Sequence, residues 1–280
     1  MLYQDLKLNI NGKELHLREW PGTGNTIICL HGFASSCYWW DKFAEVLSPS
    51  CRIITYDLPG CGDSAAPAVE YGMEEHSQDI LTIMDKFNLE KATLMGHSLG
   101  AVTAVYFASE YGHRLGHMVL VDGGYPMAGA VEVVNLLIGG LNREFPSFQK
   151  YLEFLQNMPF FSELSPYTER ALYHSVTHRS DGSVISKVNK DFVLRELEVR
   201  AQRKHLMKEL LPKINTPALM LWAEQGSGIP GVYVVTREKG EEIVRKIPGS
   251  RFAAIENANH FSIMTSDQAI WEIEKFINGS

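Results

Sequence analysis

Apolar and polar positions change rhythm twice along this chain, and each change marks a change of architecture. From Leu6 to Ile10 and from Lys13 to Glu19 the two classes alternate, with Asn11-Gly12 between the runs. Alternation gives a strand one buried and one wet face, and Asn-Gly suits a type I′ turn, so this segment is predicted as an antiparallel hairpin. After Pro21-Gly22 the apolar residues come instead in short runs: Thr26 to Leu30, Arg52 to Tyr56, Ala92 to Met95, His117 to Val121, Ala218 to Trp222 and Phe252 to Ile255. Such runs, bounded by turns, fit strands covered on both faces. Between them lie amphipathic stretches predicted as helices near Tyr38 to Leu47, Met73 to Phe87, Leu99 to Tyr111, Gly240 to Lys246 and Asp267 to Phe276. Strands alternating with helices imply a mostly parallel sheet with helices on both sides. The hairpin adds antiparallel strands at one edge.

The second change begins near Tyr125. From there to Leu211 no strand-like run occurs, and the text is helical and rich in aromatics. Phe145, Phe148, Tyr151 and Leu155 recur at helical spacing, and Asp191 to Lys208 is a charged amphipathic stretch. An insertion that leaves and rejoins the sheet in this way is expected to form a helical cap. There is no internal repeat and no low-complexity linker.

Composition narrows the function classes. A chain of 280 residues can bury a full core and still spare a cap, and 45% hydrophobic with 21% charged residues is ordinary for a globular protein. A net charge of -7 leaves no basic footprint, so nucleic acid is not an expected partner and an anionic membrane surface is disfavoured. No stretch approaches the ~18 apolar residues of a spanning helix, and the N-terminus has no signal-peptide pattern. No membrane insertion is expected. Cys29, Cys37, Cys51 and Cys61 form no C-x-x-C pair, and no Cys/His group has metal-ligand spacing. Free buried thiols and a cytoplasmic location are the expectation. No metal or organic cofactor is called for.

The chemistry is concentrated in Gly96-His97-Ser98-Leu99-Gly100, which follows the run Ala92 to Met95 and opens the helix at Leu99. This is G-x-S-x-G in the strand-turn-helix context of a nucleophile elbow. A sharp turn strains the serine backbone and holds the hydroxyl at a helix N-terminus, where N–H groups favour developing negative charge. Ser98 is therefore the candidate nucleophile. An oxyanion hole needs two donors. The Leu99 N–H is one candidate, and the Phe33 N–H, aimed by Gly32 in His31-Gly32-Phe33-Ala34, is the other. His31, Gly32 and His97 are expected to border the substrate, with His97 positional rather than basic. Of the ten histidines, His260 stands on a polar loop after the last strand, which suits a general base. His113 and His117 read as surface residues. His174 and His178 read as exposed cap residues or as substrate contacts.

These elements together resemble the α/β-hydrolase superfamily over nearly the whole chain. The resemblance implies a mostly parallel eight-stranded sheet, a core of residues 1–124 and 212–280, and a helical cap of residues 125–211 after the sixth strand. Asp57-Leu58-Pro59-Gly60-Cys61-Gly62-Asp63-Ser64 looks like the family's loop after the fourth strand, a scaffold turn without chemistry. One position departs from the pattern. Where most relatives carry an acid after the seventh strand, this chain has Gly226. Asp122, ending the sixth strand, and Glu224 are the two candidate acids. Asp122 is preferred because Gly123 and Gly124 free the backbone to present a short side chain. The implied reaction is hydrolysis of a small or medium carboxylic ester through an acyl-enzyme. Phe145, Phe148, Phe154, Phe160 and Phe161 suggest a partly apolar small-molecule substrate. A lactone, a thioester or a carbon–carbon bond between carbonyls are alternatives, as is a slowly turning-over ligand-binding or signalling protein. Displacement chemistry that needs a carboxylate nucleophile is disfavoured by Ser98.

Overall fold

The computed structural model describes residues 3–67, 71–125, 131–161, 164–202 and 206–279. β1 (Gln4–Ile10) and β2 (Lys13–Trp20) pair antiparallel around Asn11 and Gly12, both at positive φ. Then follow β3 (Thr26–Leu30), α1 (Asp41–Leu47), β4 (Arg52–Tyr56), α2 (Met73–Lys86), β5 (Ala92–His97), α3 (Leu99–Tyr111) and β6 (Leu115–Val121). The inserted region carries α4 (Val131–Gly140), β7 (Glu144–Phe145), α5 (Phe148–Gln156), α6 (Pro166–His174), β8 (Val176–His178), β9 (Val184–Ser186), α7 (Lys190–Gln202) and α8 (Met207–Leu210). The chain rejoins the sheet with β10 (Ala218–Ala223), α9 (Arg237–Lys246), β11 (Arg251–Ile255) and α10 (Asp267–Ile277).

The main sheet has eight strands in the order β1-β2-β4-β3-β5-β6-β10-β11, parallel from β4 onward. Its period-two geometry sorts the apolar runs into two cores. Ile27 and Cys29 of β3 join the cluster containing Phe43 of α1 and Ile273 of α10, whereas Ile28 and Leu30 join Ile80 of α2 and Val105 of α3. Parallel winding brings the C-terminal ends of β3, β5, β6, β10 and β11 to one edge, where open α/β sheets bind ligands. The four cysteines are free and buried. Among the described residues no helix is long and apolar enough to cross a membrane.

The inserted region is not purely helical. β7, β9 and β8 form a small antiparallel sheet, and Phe145 lies in β7 rather than on a helix with Phe148, Tyr151 and Leu155. Strands of two or three residues are too short to show a period, which is why the sequence pattern hid them. The helix expected from Asp191 to Lys208 is seen as α7 and α8, with residues 203–205 outside the described residues. Ion pairs bind this region to the sheet domain: Arg170 meets Asp41 at 2.9 Å and Glu45 at 2.7 Å, and Lys187 meets Asp63 at 2.8 Å.

Asp57, just after β4, ties several loops together. Its carboxylate accepts the Cys37 N–H (2.7 Å), the Asp63 N–H (2.9 Å) and His16 Nδ1–H (2.8 Å), while His16 Nε2 lies 3.1 Å from Asp5. Burial pulls the His16 pKa down, but the hydrogen bond and charge of Asp57 outweigh it and leave it raised. Burial likewise opposes ionisation of Asp57, yet the His16 hydrogen bond and the nearby histidines hold its carboxyl below the usual range. Stability from Asp57 is thus present above the ordinary carboxylate range and lost as pH falls through its depressed value. Stability from His16 is fully present below 6.5 and lost as pH rises through its raised value. Melting temperature should therefore decline as pH rises above the ordinary histidine range, and His16→Gln should flatten that decline. An equally steep decline in the variant would remove His16 from the account.

Candidate active site

Ser98 joins β5 to α3 with φ 53° and ψ −113°, a conformation costing on the order of 1–3 kcal/mol. Its surroundings enforce it. The Ser98 N–H donates to the Val121 carbonyl at 3.0 Å, and its own carbonyl accepts from Ala101 N–H at 3.1 Å. A Cβ on Gly96 would sit 2.4 Å from the Gly100 carbonyl group, and one on Gly100 would sit 2.3 Å from the Leu30 oxygen. The two motif glycines are thus required by close packing of the turn.

His260 is held through its backbone at both polar atoms. Its N–H donates to the Gly226 carbonyl at 2.7 Å, and its carbonyl accepts His97 Nε2–H at 2.9 Å. Burial, reinforced by the adjacent His260, pushes the His97 pKa well below the usual histidine range, so His97 is a neutral donor. The two rings lie 4.4 Å apart.

The imidazole itself is fixed by Asp122. His260 Nδ1–H donates to Asp122 Oδ2 at 2.7 Å, leaving Nε2 as the basic nitrogen. Asp122 is 1% exposed and lies at φ 42°, with Oδ1 accepting the Ala223 N–H at 3.0 Å and its own N–H donating to Leu221 at 2.8 Å. Glu224 is not at the imidazole. It is exposed, and its carboxylate accepts the Asn257 N–H at 3.2 Å. Gly226 occupies a tight turn at φ 59°, where a Cβ would lie 2.6 Å from the Val232 oxygen. An aspartate does not fit there, and the position serves instead as the acceptor for the His260 N–H.

The expected oxyanion donors are the N–H groups of Phe33 and Leu99. Phe33 lines the cavity beside Ser98, Leu99 opens α3, and neither N–H donates to another described residue. His31 is a correction, because it does not border the cavity and has no exposed surface. The Leu58 N–H donates to its Nε2 at 2.9 Å, which forces the proton onto Nδ1, and Nδ1–H donates to the Gly32 carbonyl at 2.8 Å. Burial lowers its pKa, against the pull of Asp57, and keeps it neutral. The Gly32 carbonyl and the Phe33 N–H belong to one planar peptide. His31 therefore orients the expected donor from behind. Gly32 and His97 do line the cavity.

Ser98 and His260 share a cavity of about 870 Å³, part of it open to solvent. Phe161 borders it, but the other four phenylalanines singled out in the sequence do not. Phe145 packs on Phe154, Phe148 on Tyr173, and Phe160 on Phe261. The walls come instead from Trp39, Phe261, Tyr151 and the apolar side of α4, which local pattern could not assign to the site. His174 stacks on Tyr38 at 3.9 Å and His178 is exposed; neither borders the cavity. Elsewhere, ligand atoms of His16, Cys37 and Asp57 lie within 4.8 Å of one another. Asp57 already accepts three donors, and burial above all keeps the Cys37 thiol protonated, so the cluster behaves as a hydrogen-bond network.

Substitutions at three positions test this geometry through kcat. Asp122→Asn should lower it by about 10⁴-fold, as wrong-tautomer variants do in a comparable triad, while Glu224→Gln leaves it near normal; the reverse pattern would transfer the acid role to Glu224. At His31, asparagine can keep a donor near the Nδ1 position, whereas glutamine places its amide near Nε2. His31→Gln should therefore lose about tenfold in kcat at similar KM, a fraction of a full oxyanion donor's ~10²–10³. His31→Asn should lose less, and equal losses would reduce His31 to a space-filling role.

Comparison with known proteins places the fold in a family. The alpha/beta hydrolase fold family matches residues 25–267. A Bacillus subtilis (strain 168) protein, provisionally named a 2-succinyl-6-hydroxy-2,4-cyclohexadiene-1-carboxylate synthase, is 24% identical over 86% of this chain and 86% of its own. A 2-hydroxy-6-oxononadienedioate/2-hydroxy-6-oxononatrienedioate hydrolase from Pseudomonas putida is 25% identical over 89% of this chain and 86% of its own. An alpha/beta hydrolase structure from Novosphingobium aromaticivorans superposes with a TM-score of 0.82 at 19% identity, covering 100% of this chain and 99% of that one. With the family matched across most of its length, this chain belongs to the alpha/beta hydrolase fold family.

Proposed function

We propose that the protein is a serine hydrolase that cleaves small or medium carboxylic esters through an acyl-enzyme. One observation carries the reading: a strained serine at a helix N-terminus shares a cavity with an imidazole whose Nδ1–H is fixed on a buried carboxylate. Nε2 of His260 takes the Ser98 proton as Oγ bonds to the carbonyl carbon. The electron pair moves to the carbonyl oxygen, which the Phe33 and Leu99 N–H groups stabilise. Collapse of this intermediate breaks the bond to the leaving oxygen, which receives the proton from the imidazolium. His260 then activates a water that releases the acid and restores Ser98. Asp122 stays ionised throughout, holding the tautomer and stabilising the imidazolium. These steps call on no metal or organic cofactor. Four free, buried thiols support a reducing compartment such as the cytoplasm.

A second reading uses the same residues on a carbon–carbon bond between carbonyls. It is favoured by the Pseudomonas putida relative, whose name specifies an oxo diacid rather than an ester.

A fluorophosphonate probe should label Ser98, and steady-state turnover of an activated ester should fall by about 10³-fold or more in Ser98→Ala. Labelling that survives the substitution would remove Ser98 as nucleophile. Stoichiometric labelling with negligible turnover of any ester would indicate a ligand-binding protein, and faster cleavage of a diketone than of esters would favour the second reading.

A further inference from the structure

The polar groups on the cavity wall deepen this reading and rest on it. Among the described residues, no Lys, Arg, Asp or Glu borders the cavity. Three cations of the inserted region are engaged elsewhere: Arg170 with Asp41 and Glu45, Lys187 with Asp63, and Arg143 over the rings of Phe145 and Phe154. A carboxylate brought against these walls would lose part of its hydration and find no cation among the described lining residues to replace it. The oxo diacid named for the Pseudomonas putida relative is thus a poor match to these walls.

A neutral oxygen has a partner waiting. Tyr151 of α5 borders the cavity and is 8% exposed. Its ring is wedged edge-on against Phe145 at 5.2 Å and tilted against Phe148 at 6.2 Å, which fixes its position. Its hydroxyl has no hydrogen-bond partner among the described residues, and desolvation alone raises its pKa, so it remains a neutral donor. Two other hydroxyls on the inserted side already have protein partners. Ser175 Oγ donates to the Ala171 carbonyl at 2.7 Å, and Ser186 Oγ accepts the Val188 N–H at 3.2 Å, with the Ser186 O–H still able to donate. A cavity-wall hydroxyl with no acceptor among the described residues gains a hydrogen bond from a ligand that supplies one and displaces water.

We propose that Tyr151 donates its O–H to a neutral oxygen of the substrate, such as a keto, ether or second ester oxygen, lying away from the scissile carbonyl. The enzyme then favours esters bearing such an oxygen over their carboxylate analogues, with apolar walls enclosing the carbon chain between.

The test uses ester series of increasing chain length. Each alkyl ester is paired with an analogue carrying one remote keto oxygen and another carrying a remote carboxylate, placed on the acid or the alcohol side. In the best-matched pair, Tyr151→Phe should lower the keto-to-alkyl ratio of kcat/KM by about tenfold, the loss of one buried hydrogen bond. The alkyl ester serves as the internal control for folding and for the Ser98 machinery. Ratios unchanged on both sides, or a carboxylate analogue that outperforms its keto partner, would overturn the Tyr151 assignment while leaving the hydrolase reading intact. Failure of every ester, alkyl included, would instead fall on the hydrolase reading.

Discussion

The hydrogen bond from His260 to Asp122 joins residues 138 positions apart, and the arrangement of the site depends on it. It can form because β6 and β10 are neighbours in the sheet and β11 lies next to β10, so the loop after β11 reaches back over the end of β6. The pairing register matters as well. Leu221 of β10 lies beside Val121, so the Leu221 carbonyl receives the Asp122 N–H and the Ala223 N–H meets its carboxylate. A buried carboxylate with no such donors would be costly to ionise. Here, backbone and imidazole together supply them.

A second chain of contacts supports the opposite side of the site. Asp57 gathers the Cys37 and Asp63 amides and the His16 ring, the adjacent Leu58 N–H fixes the His31 tautomer, and His31 grips the Gly32 carbonyl. The loop beginning Asp57-Leu58-Pro59-Gly60 therefore does more than turn the chain. It links the N-terminal hairpin to the peptide that would hold a developing oxyanion. Preorganised donors are effective because they need not reorient as charge develops.

The parts of this protein legible in the sequence are those whose signal is local. Unbroken apolar runs gave the central strands, with β3 and β4 at the expected limits, and the helix at Leu99–Tyr111 also began and ended where the pattern placed it. The serine turn was legible because its glycines and flanking elements are contiguous. The partner of His260 was legible only as a choice between Asp122 and Glu224, because reach depends on a left-handed backbone at Asp122 and a tight turn at Gly226. Nothing local distinguishes the rings of Trp39 and Tyr151, which border the cavity, from those of Phe145 and Phe154, which pack on each other. Nor does sequence spacing show that Asp5, His16 and Asp57 share one network.

The central claim is that the His260 imidazole is held by a carboxylate presented from β6. Low-field proton NMR reads that contact directly, since an imidazole N–H bonded to a buried carboxylate resonates far downfield of ordinary amides. The account predicts one such resonance that is absent from His260→Gln and Asp122→Asn but present in Glu224→Gln. A His260 resonance that survives loss of the Asp122 carboxylate and vanishes with Glu224 would contradict it.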